Sequence, residues 1–333
     1  MNLQQIPAKV GGLIRNAFIA DEGRLLASID FSQQELRVLA HVSRDKVLLD
    51  AYKNGRDIHS TTAVSIWNRK HPDDPVTYDD FEYRRKMTEL FQDADGNLVD
   101  EKFSVEHIQE LLAAGKIRTD DPKILRKDAE LGIQYEKVRK DSKMVNFGII
   151  YGISEKGLAD NLEITEEEAK EYIKSYFEAY PGVKKWIEEK HKEILKQKYT
   201  TTLLGRKRRV YPEINSGDSW KIQRGLRQGV NSIIQGSSAD MVKLASIKLQ
   251  PLLKELDAHI VLWIHDEIVF DVPENIGMEN LQRIADIMCN ALPLDCGMKS
   301  DIEVGRKWGQ KLSEDDIRHL FEEDEETDEE EEE

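Results

Sequence analysis

Three acidic positions in the sequence sit where a carboxylate is costly unless water or a cation attends it. Asp30 closes the apolar run RLLASID, and Asp266 and Glu267 separate two others, HIVLWI and IVFDV. Burying a charge at such a point is unfavourable without a compensating partner. Two aspartates on strands able to pair in one sheet supply the hard oxygen ligands that two Mg²⁺ ions need. Ions held that way stabilise the attacking and leaving oxygens of a phosphoryl transfer together. Spacing alone does not bring residues 30 and 266 together, and each, read singly, is an ordinary strand-end or turn aspartate.

A second constellation repeats every four residues: Arg139, Lys143, Phe147 and Tyr151. Each such step advances about 40° around a helix, so the four wind slowly along one face. Two cations followed by two rings suit a nucleotide, the cations meeting the triphosphate and the rings lying against sugar and base. Gly148 and Gly152 follow the rings and leave their surroundings open. The plainer reading is an amphipathic helix that buries the rings and solvates the cations. Arg227, Asn231 and Gln235 repeat the interval elsewhere. Asn and Gln there could donate to minor-groove acceptors, which are similar for every base pair. A solvent-facing polar stripe is the alternative.

These residues need elements to carry them. The run from Arg24 to Asp30 reads as a buried strand, and Ser32 with Glu35 (SQQE) reads as a capping box opening a helix through about Ser43. A helix is expected from about Tyr135 to Tyr151, another capped by Thr165 and Glu168, and a third from Pro181 to about Lys198. A basic loop, GRKRR, precedes a long helix over roughly Ser219 to Leu253, interrupted near Gly236. HIVLWI and IVFDV read as a β-hairpin with His265-Asp266-Glu267 at its turn. Around residues 69–138 the pattern loosens into an insertion or subdomain. Its DADGN places Gly96 at the fourth position of a would-be calcium loop, and Ser104 at the twelfth, so it reads as a plain turn. The mixture of a hairpin, a strand entering a helix, and long helices indicates an α+β fold.

Composition bears on partners. The 333 residues carry a formal net charge of −16, which taken whole argues against a phosphate backbone. The charge is peripheral, however. Residues 314–333 hold fourteen acidic side chains against one arginine, residues 69–138 are also net acidic, and the remainder is slightly basic. The tail reads as a disordered solvating segment. No run of 18 apolar residues is present, so no membrane partner is expected. The two cysteines, Cys289 and Cys296, suit a reducing compartment, and a start lacking a secretory leader adds to a cytoplasmic expectation.

Together these segments resemble the family A DNA polymerases, the DNA polymerase I group. NLQQIP with IRNAF matches the stretch leading into the palm. DFSQQELRVLAHVS (30–43) resembles motif A, and DIHSTTA (57–63) the segment after it. RKDSKMVNFGIIYG (139–152) is similar to motif B on the fingers helix. YPGVKKW, TLLGRKRR, RQGVNSIIQGSSADMVK, IHDEIVFDV (motif C) and VGRKW follow in the family's order.

The resemblance implies an antiparallel palm sheet with a helical fingers subdomain. The implied palm is 1–60 and 216–313, the fingers 61–215 with the insertion at about 69–138, and the tail 314–333. It implies that Asp30 and Asp266 bind the two catalytic Mg²⁺ ions, for which Mn²⁺ could substitute, with the Phe31 carbonyl as a further ligand and Glu267 in support. Glu35 falls beside the incoming sugar, where it blocks a 2′-hydroxyl. Arg139, Lys143 and His59 fall on triphosphate-binding positions, Phe147 on the sugar-contacting one, and Tyr151 beside the nascent pair. Lys143 would stabilise the leaving pyrophosphate. Arg227, Asn231, Gln235 and His265 correspond to primer–template contacts.

Departures from the family pattern add expectations. Gln34 stands where an apolar residue is usual and makes the nucleotide pocket's floor more polar. The thumb and 3′–5′ exonuclease do not precede NLQQIP, so a partner polypeptide is expected to supply them in a bacterial or phage-infected cell. The substrates implied are primer–template DNA and deoxynucleoside triphosphates. The rival from another class is a non-catalytic primer–template-binding subunit derived from a polymerase. A relative of single-subunit RNA polymerases is disfavoured by Glu35.

Overall fold

The run RLLASIDF forms strand β1 (Arg24–Phe31), preceded by a single helical turn, α1 (Gly12–Arg15), and followed by α2 (Gln34–Ser43). The computed structural model describes residues 12–312, so NLQQIP and the acidic tail lie outside the described residues. Helices follow in order: α3 (Lys46–Lys53), α4 (Ile58–Lys70), α5 (Tyr78–Thr88), α6 (Val105–Ala113), α7 (Pro122–Ile150), α8 (Glu155–Leu162), α9 (Glu166–Ala179) and α10 (Pro181–Gln197). A small hairpin, β2 (Tyr199–Thr201) and β3 (Lys207–Arg209), leads through α11 (Tyr211–Ile214) into α12 (Ser219–Glu255). The chain ends its described part with β4 (His259–Ile264), β5 (Glu267–Pro273), α13 (Gly277–Cys289) and β6 (Ser300–Gly305). This is an α+β fold.

Two compact units result. Among the described residues, one combines 12–41 with 197–216 and 231–312, and the other combines 42–196 with 217–230. These divisions differ from those expected near 60 and 215. Helix α4 packs on α7 and α9, and α3 packs on α4. The β2–β3 hairpin is tied to the later part of α12, where Leu203 N donates to Ser237 Oγ at 2.9 Å and Arg206 pairs with Asp240 at 2.8 Å.

The first unit is built on an antiparallel sheet of order β4-β5-β1-β6. Asp30 stands opposite Glu267 on one side and Asp301 on the other, and Ser28 stands opposite Val269 and Glu303. Alternation puts these side chains on one face and Leu25, Ala27, Ile29 and Phe31 on the other, all four fully buried. Ile268, Phe270 and Val272 continue that face, and α13 adds Leu281, Ile284 and Met288. Each such large side chain contributes roughly 1.5–3 kcal/mol by leaving water.

The second unit is helical. Trp67, Phe81 and Tyr135 form an aromatic centre, Phe81 and Tyr135 stacked at 4.4 Å between centroids and Trp67 edge-on to Tyr135 at 4.7 Å. Helix α7 begins at Pro122, well before the expected Tyr135. Asp121 caps it and proline occupies its first turn. Leu125 and Ala129 extend its buried side, and Gly132 lets it approach α5. A Cβ there would stand 1.8 Å from Thr88 Oγ1. Residues 88–127 close a small core of their own with Phe91, Phe103, Ile108, Leu111 and Leu125. DADGN is a plain turn, in which Asp93 Oδ1 accepts from the backbone of Asp95 and Asn97.

Three local expectations are corrected. Helix α2 starts at Gln34 after Gln33, whose φ is +54°, so Ser32 and Glu35 fall one residue out of register for a capping box. Ser32 N is engaged by Lys299 O at 2.9 Å instead. A complete box does form from Thr165 and Glu168. Helix α12 is continuous through Gly236, where the missing Cβ makes room for Thr202 Cγ2, which it would meet at 2.6 Å. The basic loop 205–209 is in part strand β3.

Candidate active site

Asp30 is the penultimate residue of β1, and Asp266 sits in the two-residue turn between β4 and β5, with Glu267 opening β5. The adjacency of β1 and β5 closes the 236-residue gap in sequence, and Phe31 N donates to Asp266 O at 3.2 Å. His265, exposed in the turn, takes φ +56°. The acidic residues line a cavity of about 520 Å³ together with Asp301 and Glu303 of β6. Asp30 opens onto that cavity, yet its enclosing walls, then the charges of Asp266, Glu267 and Asp301, push its carboxyl up to about 7. Burial raises Asp266 as well. Glu267 is held differently: Ser28 Oγ and Trp308 Nε1 both donate to its Oε1, the indole at 3.1 Å.

Crowded carboxylates that resist ionising are a donor set suited to a hard divalent cation. Among the described residues, no group of three His, Cys, Asp or Glu side chains forms a protein cage. A cation here would rest on two carboxylates, a backbone carbonyl such as that of Phe31, and oxygens from solvent or substrate. Mg²⁺ is commonly held that way.

In the helical unit the four-residue stripe runs along the last part of α7, with Tyr151 as its C-cap residue. Lys143 is exposed, Tyr151 is 44% exposed, and Phe147 is half-buried. Arg139 donates to Asp57 Oδ2 at 2.7 Å. Asp57 also caps α4 by accepting from His59 N at 3.1 Å. Burial would raise Asp57, but the Arg139 charge and hydrogen bond outweigh it and hold the carboxyl below its ordinary value. His59 is 4% exposed, and its ring lies 5.8 Å from that of Phe147. Burial, assisted by Arg139 and Lys143 against the opposing pull of Asp57, lowers it to about 4. Asn146 Nδ2 lies 2.9 Å from His59 Nδ1, while its Oδ1 lies 2.9 Å from Thr62 Oγ1. Asn146 thus bridges the His59 ring and Thr62, and the ring's tautomer sets the direction of the bond at Nδ1.

The remaining candidates lie on α2 and α12. Glu35 is half-buried in the first turn of α2. Gln34 is buried and donates to Ser238 O at 3.3 Å. On α12, Asn231 Nδ2 donates to Gln235 Oε1 at 3.2 Å, and the buried Asn231 Oδ1 has no hydrogen-bond partner among the described residues. The Arg227 stem packs against Gly152, where a Cβ would stand 2.7 Å from Arg227 Cδ and Cγ.

The sequence model of DNA polymerase family A matches residues 1–87 and 128–310. The chain belongs to DNA polymerase family A. It is 34% identical to the thermostable DNA polymerase I of Thermus filiformis over 309 residues, which is 92% of this chain and 30% of that protein. Against DNA polymerase I of Streptococcus pneumoniae serotype 4 it is also 34% identical, over 92% of this chain and 29% of the relative. A solved structure, the POL domain of Pol1 from M. smegmatis in complex with DNA primer-template and dNTP, is similar with a TM-score of 0.69 and 31% identity. That likeness covers 92% of this chain and 44% of the solved one. The chain thus spans about 30% of the length of the curated relatives it matches. Residues 88–127, the small helical core within the expected insertion, fall outside the family match.

Sequence reasoning missed several residues of the acidic cavity and of the hydrogen-bonded cluster around Arg139 and His59. Asp301 and Glu303 were signalled only by the alternation in SDIEVG, which marks a strand able to face Asp30. Asp57, Asn146 and Thr62 were visible as residues of matching motifs, but their hydrogen bonds needed α4 packed on α7. Trp308 lies in VGRKW, and nothing in its sequence context pointed to Glu267.

Proposed function

We propose that the chain is the catalytic core of a template-directed DNA polymerase, adding deoxynucleotides to a primer 3′-hydroxyl. The observation that carries this reading is the pairing of β1 with β5, which sets Asp30 beside Asp266 in one acidic cavity. Asp30, Asp266 and the Phe31 carbonyl would hold two divalent cations, Mg²⁺ or Mn²⁺, with Glu267 in support. Bound there, the cations supply charge stabilisation to the attacking and leaving oxygens. The sheet unit would act as palm and the helical unit as fingers.

The chain's own residues account for the other requirements. Lys143, exposed on α7, would neutralise charge on the departing pyrophosphate. Arg139 is already oriented by Asp57 and would meet the triphosphate as a fixed fork, with the neutral His59 as a hydrogen-bond donor beside it. Phe147 would lie against the sugar and Tyr151 against the nascent pair. Glu35 would exclude a 2′-hydroxyl. Arg227, Asn231, Gln235 and His265 would contact primer–template, and the unpartnered Asn231 Oδ1 supports a ligand contact there. The partial span of the relatives supports the further proposal that additional polypeptide, a thumb and exonuclease, grips and edits duplex DNA. Family membership, with no helix among the described residues long and apolar enough to cross a membrane, supports a cytoplasmic setting in a bacterial or phage-infected cell.

Primer extension on four templates differing in one base tests the function. Incorporation that follows the template base supports it. Template-dependent binding with no extension under Mg²⁺ or Mn²⁺ would favour the non-catalytic subunit.

A further inference from the structure

We propose that Trp308 is a positioning residue for Glu267, fixing one carboxylate oxygen so that the other is presented to the acidic cavity. The inference rests on the reading above, in which Glu267 supports cations held by Asp30 and Asp266. Among the described residues, the two hydrogen bonds that Glu267 accepts, from Ser28 Oγ and Trp308 Nε1, go to Oε1, and neither uses Oε2. The two donors are unequal. A serine hydroxyl rotates freely about its C–O bond, whereas the indole is 1% exposed and clamped from several sides. Phe18 meets it edge-on at 5.5 Å, and Arg15 lies over it at 4.4 Å from the ring centroid. Leu26 and Val269 pack with it in the same apolar cluster.

The chemistry of the donor matters as much as its rigidity. Glu267 neighbours Asp30 across the strand pair and Asp266 along the chain, so a free side chain would swing away from like charge. An arginine or lysine would hold it in place but also cancel its charge. A neutral N–H orients the carboxylate and leaves its negative charge available to a cation, the part that outer hydrogen bonds play around metal ligands. Trp308 lines the same cavity as Asp30, Asp266 and Glu267.

The test uses the full chain and Mn²⁺ as the probe, with free Mn²⁺ read by electron paramagnetic resonance. Trp308→Phe keeps an aromatic ring and deletes the donor, so Mn²⁺ affinity is expected to fall by about tenfold. The double variant W308F/E267A should bind Mn²⁺ no more weakly than E267A alone, because both act on one carboxylate. If W308F lowers only the unfolding midpoint and binds Mn²⁺ as wild type does, or if the two losses add, the inference is overturned. Asp266→Ala and Glu267→Ala separate the two layers of argument. If neither weakens Mn²⁺ binding, the reading of the site fails. If both do while W308F does not, the Trp308 inference alone fails. Should W308F not fold, the Trp308 indole N–H resonance in the ¹⁵N-labelled chain must shift in Glu267→Gln, and an unshifted resonance contradicts the proposal.

Discussion

In the sheet unit, Asp30 lines an open cavity beside Asp266, Glu267 and Asp301 and is pushed up to about 7, while in the helical unit Asp57 is held below its ordinary value by Arg139. Both are aspartates at the edge of a secondary-structure element, but the sequence singles out Asp30 as a candidate metal ligand and carries Asp57 only within the DIHSTTA segment. Their surroundings differ in sign. The sheet gathers negative charge around a cavity, which in the proposed reading would receive a cation from outside. The helical unit pairs the Asp57 charge with Arg139, keeps His59 neutral, and leaves Lys143 exposed, where in the proposed reading it would meet an anion. The proposed polymerase function would use both arrangements, one to hold metal ions and one to receive a triphosphate.

The contrast can be broken most severely at Asp30. Asp30→Asn removes a proposed metal ligand, and single-nucleotide insertion is expected to fall by about 10³-fold. The same change should raise the melting temperature in metal-free buffer at pH 8. A carboxyl raised to about 7 lets the folded chain hold a proton that the unfolded chain has lost, so stability falls as pH rises from the ordinary carboxyl range through 7. Loss of activity together with gain of stability would separate a ligand from a structural aspartate. Equal loss of both would break the comparison.

How much of this contrast was legible in the sequence differs between the units. The strand ending at Asp30 and the hairpin around Asp266 were readable because apolar runs and turn residues are local signals. That β1 pairs with β5, and that β6 adds Asp301, depends on long-range register, for which the motif order served as a guide. In the helical unit the stripe on α7 was readable from its period. The start of α7 was not, because Leu125 and Ala129 are buried only once residues 88–127 fold against it. Gly236 was misread as a break because a glycine required for close approach and one that ends a helix look alike in sequence.

The helical unit's half of the contrast rests on His59. Its folded value is depressed to about 4 from 6.5, so between those values the unfolded chain binds the extra proton and stability rises with pH. Denaturant unfolding should lose up to about 3 kcal/mol between pH 7 and pH 4, and His59→Gln should flatten that slope. An unchanged slope would mean that His59 is not buried as a neutral ring.

Smaller effects sharpen the picture. Lys143→Ala should lower the rate of nucleotide insertion by about 100-fold, with most of the loss in kcat if its charge acts on the leaving group. A loss confined to KM would place Lys143 in uniform binding instead. Glu35→Ala should leave deoxynucleotide insertion near wild type and raise ribonucleotide insertion by about tenfold, as expected when a clash with one hydroxyl is relieved. Unchanged sugar selectivity would remove Glu35 from the sugar site.

The central claim is that the paired strands of the sheet unit build a cation-dependent phosphoryl-transfer site. Single-turnover insertion of one deoxynucleotide on an annealed primer–template, with wild type and Asp266→Ala side by side in Mg²⁺, tests it most directly. Insertion by wild type that depends on Mg²⁺ and is lost in the variant is the predicted result. Equal insertion by both proteins would contradict it.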